Sequence, residues 1–205
     1  MHHRFIYFLM IMMSFYQYLH AQELNLDMEE VDAYGKPMKW KLGHDTEKPI
    51  VYRLLADSVI KHSGRYSVKL FSNSDRAETA SCFMQIALHT TGTNVILKGF
   101  LKTENVQNGS ANLFMGLIGD SVLLQYDKMK QKGSVLTGTH DWQEFEISLP
   151  NSEQVNKINM GVFLTGTGTV WIDDLSLAVD DKNITHAPIL TIETKDPRTG
   201  RMIKF

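Results

Sequence analysis

From residue 23 to residue 180 the chain breaks into short runs rich in Val, Ile, Leu, Phe and Thr, each closed by a cluster of Gly, Asn, Asp or Ser. An amphipathic helix would need apolar residues every three or four positions over about ten residues or more, and no segment sustains that pattern. The runs predict strands over 24–29, 39–42, 51–56, 66–71, 80–88, 94–102, 111–119, 143–149, 157–164 and 168–179. The breaks at Ser63-Gly64, Thr91-Gly92-Thr93, Asn108-Gly109-Ser110, Lys132-Gly133 and Gly166-Thr167-Gly168 put glycine where a turn asks for positive φ. Phe145, Ile147 and Leu149 alternate with Glu144, Glu146 and Ser148, which gives a strand one dry face and one wet face. Residues 95–102 are more continuously apolar and suit a central strand. Two such sheets packed about 10 Å apart bury these faces. The fold class is therefore all-β, a two-sheet antiparallel jelly-roll β-sandwich.

The ends differ from the middle. Met1-His2-His3-Arg4, an apolar run over 5–15 and Leu19-His20-Ala21 form a secretory signal over 1–22, with removal after Ala21 or Gln22. The run is shorter than the roughly 20 residues that span a bilayer, so no stable membrane anchor is expected. The mature protein is then exported: periplasmic, at the cell surface or secreted. The sandwich module spans 23–180. Residues 181–205 carry Asp181-Lys182-Asn183, His186-Ala187-Pro188 and a basic, turn-rich end, and read as a linker-like tail in which 189–192 could instead add an edge strand.

Composition removes several partners and chemistries. With 21 basic and 23 acidic residues, a net charge of −2 gives no electrostatic reason to expect nucleic acid or an anionic membrane. Cys82 is the single cysteine, which rules out an intramolecular disulfide, and its apolar neighbours favour a small buried hydrophobe over a nucleophile. The G-x-S-x-G turn is absent, and Ser63, Ser110 and Ser134 read as turn hydroxyls. His44, His62, His89, His140 and His186 lack metal-ligand spacing. No catalytic residue is therefore nominated.

Sugar recognition needs an aromatic face beside a few polar groups. Trp142 and Trp171 lie in alternating strands and read as packing residues. Tyr52, Tyr126 and Trp40 are the candidate ligand-binding rings, with plain packing as the competing reading.

Several motifs in order carry a resemblance. Asn25-Leu26-Asp27-Met28-Glu29 with Gly35-Lys36-Pro37 and Trp40 resembles the N-x-x-F-E … G-x-P-x-x-W opening of CenC-like carbohydrate-binding modules, Met28 standing for the usual aromatic. His62-Ser63-Gly64-Arg65-Tyr66-Ser67-Val68, then Asp141-Trp142 with Phe145-Glu146-Ile147, then Gly168-Thr169-Val170-Trp171-Ile172-Asp173-Asp174 resemble later motifs of the same modules. The resemblance implies a galactose-binding-like jelly roll, a glycan or polysaccharide partner, a monomer and no catalysis. It also implies a structural calcium held by Glu29 and Asp174, with Asp173 as substitute; the alternative is that these carboxylates only accept backbone N–H groups at a strand end. Residues 99–111 are similar to accessory domains that precede the catalytic domain in Bacteroidetes exported hydrolases, erythromycin-esterase-like proteins and carboxy-terminal-processing peptidases among them. That likeness implies the alternative role of an accessory domain positioning a hydrolase or peptidase domain.

Overall fold

The computed structural model describes residues 21–44, 51–72, 74, 78–128, 135–190, 193–195 and 202–204. Most of the signal predicted over 1–22 lies outside the described residues. The strands are β1 (Gln22–Glu23), β2 (Lys41–His44), β3 (Tyr52–Asp57), β4 (Ser67–Ser72), β5 (Thr79–Ala87), β6 (Asn94–Gly119), β7 (Val122–Lys128), β8 (Leu136–Pro150), β9 (Lys157–Thr165), β10 (Thr167–Val179), β11 (Lys182–Asn183), β12 (His186–Ala187), β13 (Glu193–Lys195) and β14 (Met202–Lys204). No helix occurs among the described residues.

β6 belongs to both layers. Its first part pairs with β10 and β8, giving a first sheet β3-β4-β10-β6-β8. Its second part, 111–118, pairs with β9 and β7, giving a second sheet β2-β5-β9-β6-β7. All these pairings are antiparallel. The transfer occurs where Asn105 and Asn108 take φ of 53° and 58°. Asparagine tolerates that conformation because its short polar side chain can bond locally. Beside them, a Cβ on Gly109 would run into the Thr165 carbonyl. The sequence predicts two strands here with a turn at 108–110; the structure makes one strand bent at that point.

Alternate residues of both sheets meet in one core. Val68, Leu70, Leu97, Leu101, Val170 and Ile172 come from the first sheet, and Cys82, Met84, Leu113, Met115, Met160 and Val162 from the second; all are fully buried. Truncating one of the larger of these side chains to Ala costs about 2–5 kcal/mol. Burial pushes the Cys82 thiol far above its ordinary pKa.

Three expectations change. Residues 24–29 form no strand: the Asn25 side chain donates to Glu30 O at 2.8 Å and Met38 O at 3.0 Å and accepts Glu30 N at 2.9 Å. These local bonds compete with a ladder, and they tuck Leu24, Leu26 and Met28 into the core. β7 was not foreseen, and β8 begins seven residues before the predicted strand, at Leu136, where the shifted register and Gly138 at φ 74° hide the alternation. The third change concerns the linker-like tail, which joins the sandwich as far as Leu190. β11 pairs with β10 and β12 with β1, while Ala87 N donates to Pro188 O and Leu190 N to Gln85 O. Ala187, Ile184 and Ile189 supply the apolar contacts, and the free edge of β5 beyond β2 supplies the hydrogen bonds.

Candidate functional site

The acidic residues assigned to calcium hold a turn instead. Where β10 shifts register against β6, Asp174 takes φ 47°, and this bulge aims two adjacent carboxylates at one segment. Asp173, fully buried, accepts His62 N at 2.8 Å and Ser63 N at 3.1 Å through Oδ2, and Asp174 N at 2.8 Å through Oδ1. Burial raises its pKa despite those bonds. Asp174 pairs with His62 Nδ1 at 2.6 Å and accepts Ser63 Oγ at 2.8 Å. Glu29 takes the other end of the turn, accepting Arg65 N at 2.7 Å, Tyr66 N at 3.1 Å and Arg65 Nε at 3.2 Å. Burial alone would raise the Glu29 pKa, but these donors bring it below the ordinary value. Gly64 between them takes φ 58°, and a Cβ there would displace the Glu29 carboxylate.

Calcium needs six to eight oxygen ligands, whereas these oxygens face N–H and O–H donors. The donor set does not fit the cation, and among the described residues no group of three or more His, Cys, Asp and Glu side chains is arranged around a metal position. Ser63, His62 and a carboxylate do converge, but Ser63 donates to Asp174 and not to His62. The arrangement in which an imidazole takes the serine proton is therefore not formed by these side chains. The His62 ring stacks on Phe100 at 3.7 Å and meets Trp142 edge-on at 5.7 Å. Trp171 is buried as expected, with Nε1 on Asp57 Oδ2 at 3.0 Å.

Trp40 and Tyr52 are brought together, but neither presents a ring to solvent: they are 5% and 2% exposed. Trp40 Nε1 donates to Asn25 O at 2.7 Å, and the Tyr52 hydroxyl lies on the carbonyls of Gly166, at 2.8 Å, and Glu78. Burial and the Glu78 charge push the Tyr52 phenol up to about 12. With their polar atoms occupied, both rings show only carbon to a pocket between β2 and β3.

Tyr126 sits elsewhere, on the outer face of the second sheet, where cross-strand rows alternate rings, amides and glycines. One row runs Gln85, Asn159, Gly116, Tyr126; the next Lys41, Phe83, Gly161, Phe114, Lys128; a third Gly43, Ser81, Phe163, Asn112. Tyr126 leans over Gly116, where an added Cβ would stand 3.4 Å from its ring. Phe114 and Phe163 pack at 4.3 Å between centroids. Phe83, Gln85, Asn159, Phe163 and Tyr126 are half-buried. Phe114, Asn112 and Ser81 are buried, and the Oδ1 atoms of Asn112 and Asn159 are buried without a hydrogen-bond partner. Tyr126 was a candidate by residue type, and the amides beside it were not named. The alternation around 112–116 and 159–163 was legible; the register that aligns the two strands was not.

By fold, the chain has the two-sheet jelly-roll β-sandwich architecture that carbohydrate-binding modules adopt. The structure of TmCBM61 in complex with β-1,4-galactotriose aligns with a TM-score of 0.51 at 15% identity, covering 78% of this chain and 99% of that one. A structure described as "CBM4 structure and function" aligns at 0.51 and 13% identity, over 77% and 99%. The enzymatically active domain of Bacteriophage CBA120 tailspike protein 4 aligns at 0.58 and 7% identity, over 75% of this chain and 21% of that one. At such identities the likeness is one of fold. No family model matches the chain. In sequence it is 32% identical over 141 residues to the uncharacterized HTH-type transcriptional regulator YbfP of Bacillus subtilis (strain 168), covering 66% of this chain and 46% of that protein. The chain thus spans less than half the length of this curated relative, and the described residues hold no helix to match a helix-turn-helix.

Proposed function

We propose that the chain is an exported, non-catalytic carbohydrate-binding module whose glycan lies across the outer face of the second sheet. The observation that carries this reading is the set of rows around Tyr126, where half-buried rings lie beside the half-buried side-chain amides of Gln85 and Asn159. Aromatic carbon covers the apolar face of a pyranose, and side-chain amides both donate to and accept from its hydroxyls. The likeness to carbohydrate-binding folds supports the same reading. Export rests on the basic and apolar start of the sequence; removal after Ala21 would leave β1 whole at Gln22.

A second reading is an accessory domain without a ligand of its own that positions a partner domain. The match to less than half of a longer curated protein favours it. A hydrolase or peptidase as that partner rests on residues 99–111 alone.

An oligosaccharide array probed with the mature chain, with and without calcium, separates the two. The module reading expects binding that is independent of calcium and falls about tenfold or more in Tyr126→Ala and in Asn159→Ala. Silence across the array overturns it in favour of the accessory domain.

A further inference from the structure

β2 and β3 are the outer strands of opposite sheets, so the side of the sandwich between them is closed by side chains and not by a ladder. A pocket of about 400 Å³ opens there, within the range of roughly 300–1,000 Å³ usual for small-molecule sites. Leu42, Leu54 and Leu55 line it, with the narrow strips of Trp40 and Tyr52 that stay exposed. Because the indole N–H and the phenol hydroxyl are both bonded to backbone carbonyls, these rings offer a ligand no free donor. A sugar lodged here would lose water from its hydroxyls without replacement, which costs free energy for each group.

The rim has the opposite character. Lys36 and Arg53 line the pocket, both exposed, and among the described residues neither side chain has an ion-pair or hydrogen-bond partner. No carboxylate occurs among the described lining residues. Lys36 stands on a stiff support: Asp32 Oδ1 accepts both Tyr34 N, at 2.8 Å, and Lys36 N, at 2.9 Å, while Gly35 O accepts Ala56 N of β3 at 2.8 Å. This fastens the loop that carries Lys36 to the free edge of the first sheet.

We infer that this pocket is a second binding site, separate from the glycan face, for a small amphiphilic anion: an apolar body between Trp40, Leu42, Tyr52 and Leu54, with a carboxylate at Lys36 and Arg53. The apolar lining selects the body by burial, and the cations select the head by charge complementarity.

Calorimetry on the mature chain with octanoate, octan-1-ol and octylammonium, all below their aggregation concentrations, tests the assignment. Octanoate is expected to bind most tightly. The surface variant Lys36→Gln/Arg53→Gln, which touches no core residue, should weaken octanoate about fivefold to tenfold and leave octanol unchanged. Leu54→Trp, which fills the cavity, should abolish octanoate binding while array binding to glycans persists. Failure of octanoate to bind at millimolar concentration, equal affinity for octanol, or indifference to the double charge substitution would each overturn it. None of these outcomes bears on the glycan face.

Discussion

The 62–66 turn and the outer face of the second sheet both set polar groups beside aromatic rings, yet they differ in what those groups do. At the turn the carboxylate oxygens of Glu29, Asp173 and Asp174 all accept hydrogen bonds from the chain itself. On the face, the half-buried side chains of Gln85 and Asn159 have no hydrogen-bond partner among the described residues. A saturated network fixes a fold, whereas half-exposed amides without a partner in the chain stay free to bond to a ligand. The motifs that resemble carbohydrate-binding modules therefore report how the sandwich is fastened, and the proposed binding surface lies where no motif points.

The largest effect should come from Asp173→Ala. It strands the N–H groups of His62, Ser63 and Asp174, and urea unfolding should show a loss of about 3 kcal/mol. Labelling of Cys82, which is fully buried, should accelerate in step, while the folded fraction keeps its glycan affinity. A variant that stayed stable but lost glycan binding would reverse the roles of the two regions.

Next is the acid limb. Asp57 is held near pKa 2: burial works against it, but Trp171, Val59, Ile60 and Lys69 all donate to it. A depressed carboxylate stabilises the fold above its unfolded pKa, and the contribution, about 2 kcal/mol, is lost as pH falls from near 4 through about 2. Asp173 has the opposite sign, its raised pKa removing stability as pH rises above the ordinary carboxylate value. Asp57→Asn should flatten the acid limb in pH-dependent unfolding.

On the face, Tyr126→Ala should cost about 1.4 kcal/mol or more of glycan binding, a tenfold drop by calorimetry, while shifting stability by less than about 1 kcal/mol. The smallest effect is His62→Ala, which removes one stacked ring from Phe100. It should cost about 1 kcal/mol in unfolding and nothing in binding.

Much of this division could be read from the chain. Alternation such as Phe145, Ile147, Leu149 fixes which way a strand faces, because that depends only on neighbours two apart. The bulge at Asp173-Asp174 could not be read that way: period two sends adjacent carboxylates to opposite faces, and only the meeting of β10 with the 62–66 turn brings them together. Trp40 and Tyr52 were candidates by type, yet exposure depends on the fold around a ring, and here their polar atoms are tied to the carbonyls of Asn25, Glu78 and Gly166 from distant segments. The row of Gln85, Asn159 and Tyr126 depends on pairing across three strands, and no single window of sequence contains it.

The separation of fastening from binding is tested most directly by amide chemical-shift mapping of the chain titrated with the best oligosaccharide from the array. The signals of Gln85, Asn112, Asn159 and Tyr126 should move while those of His62, Asp173 and Asp174 stay in place. Movement confined to the 62–66 turn and the β10 bulge, with the face of the second sheet unchanged, would contradict it.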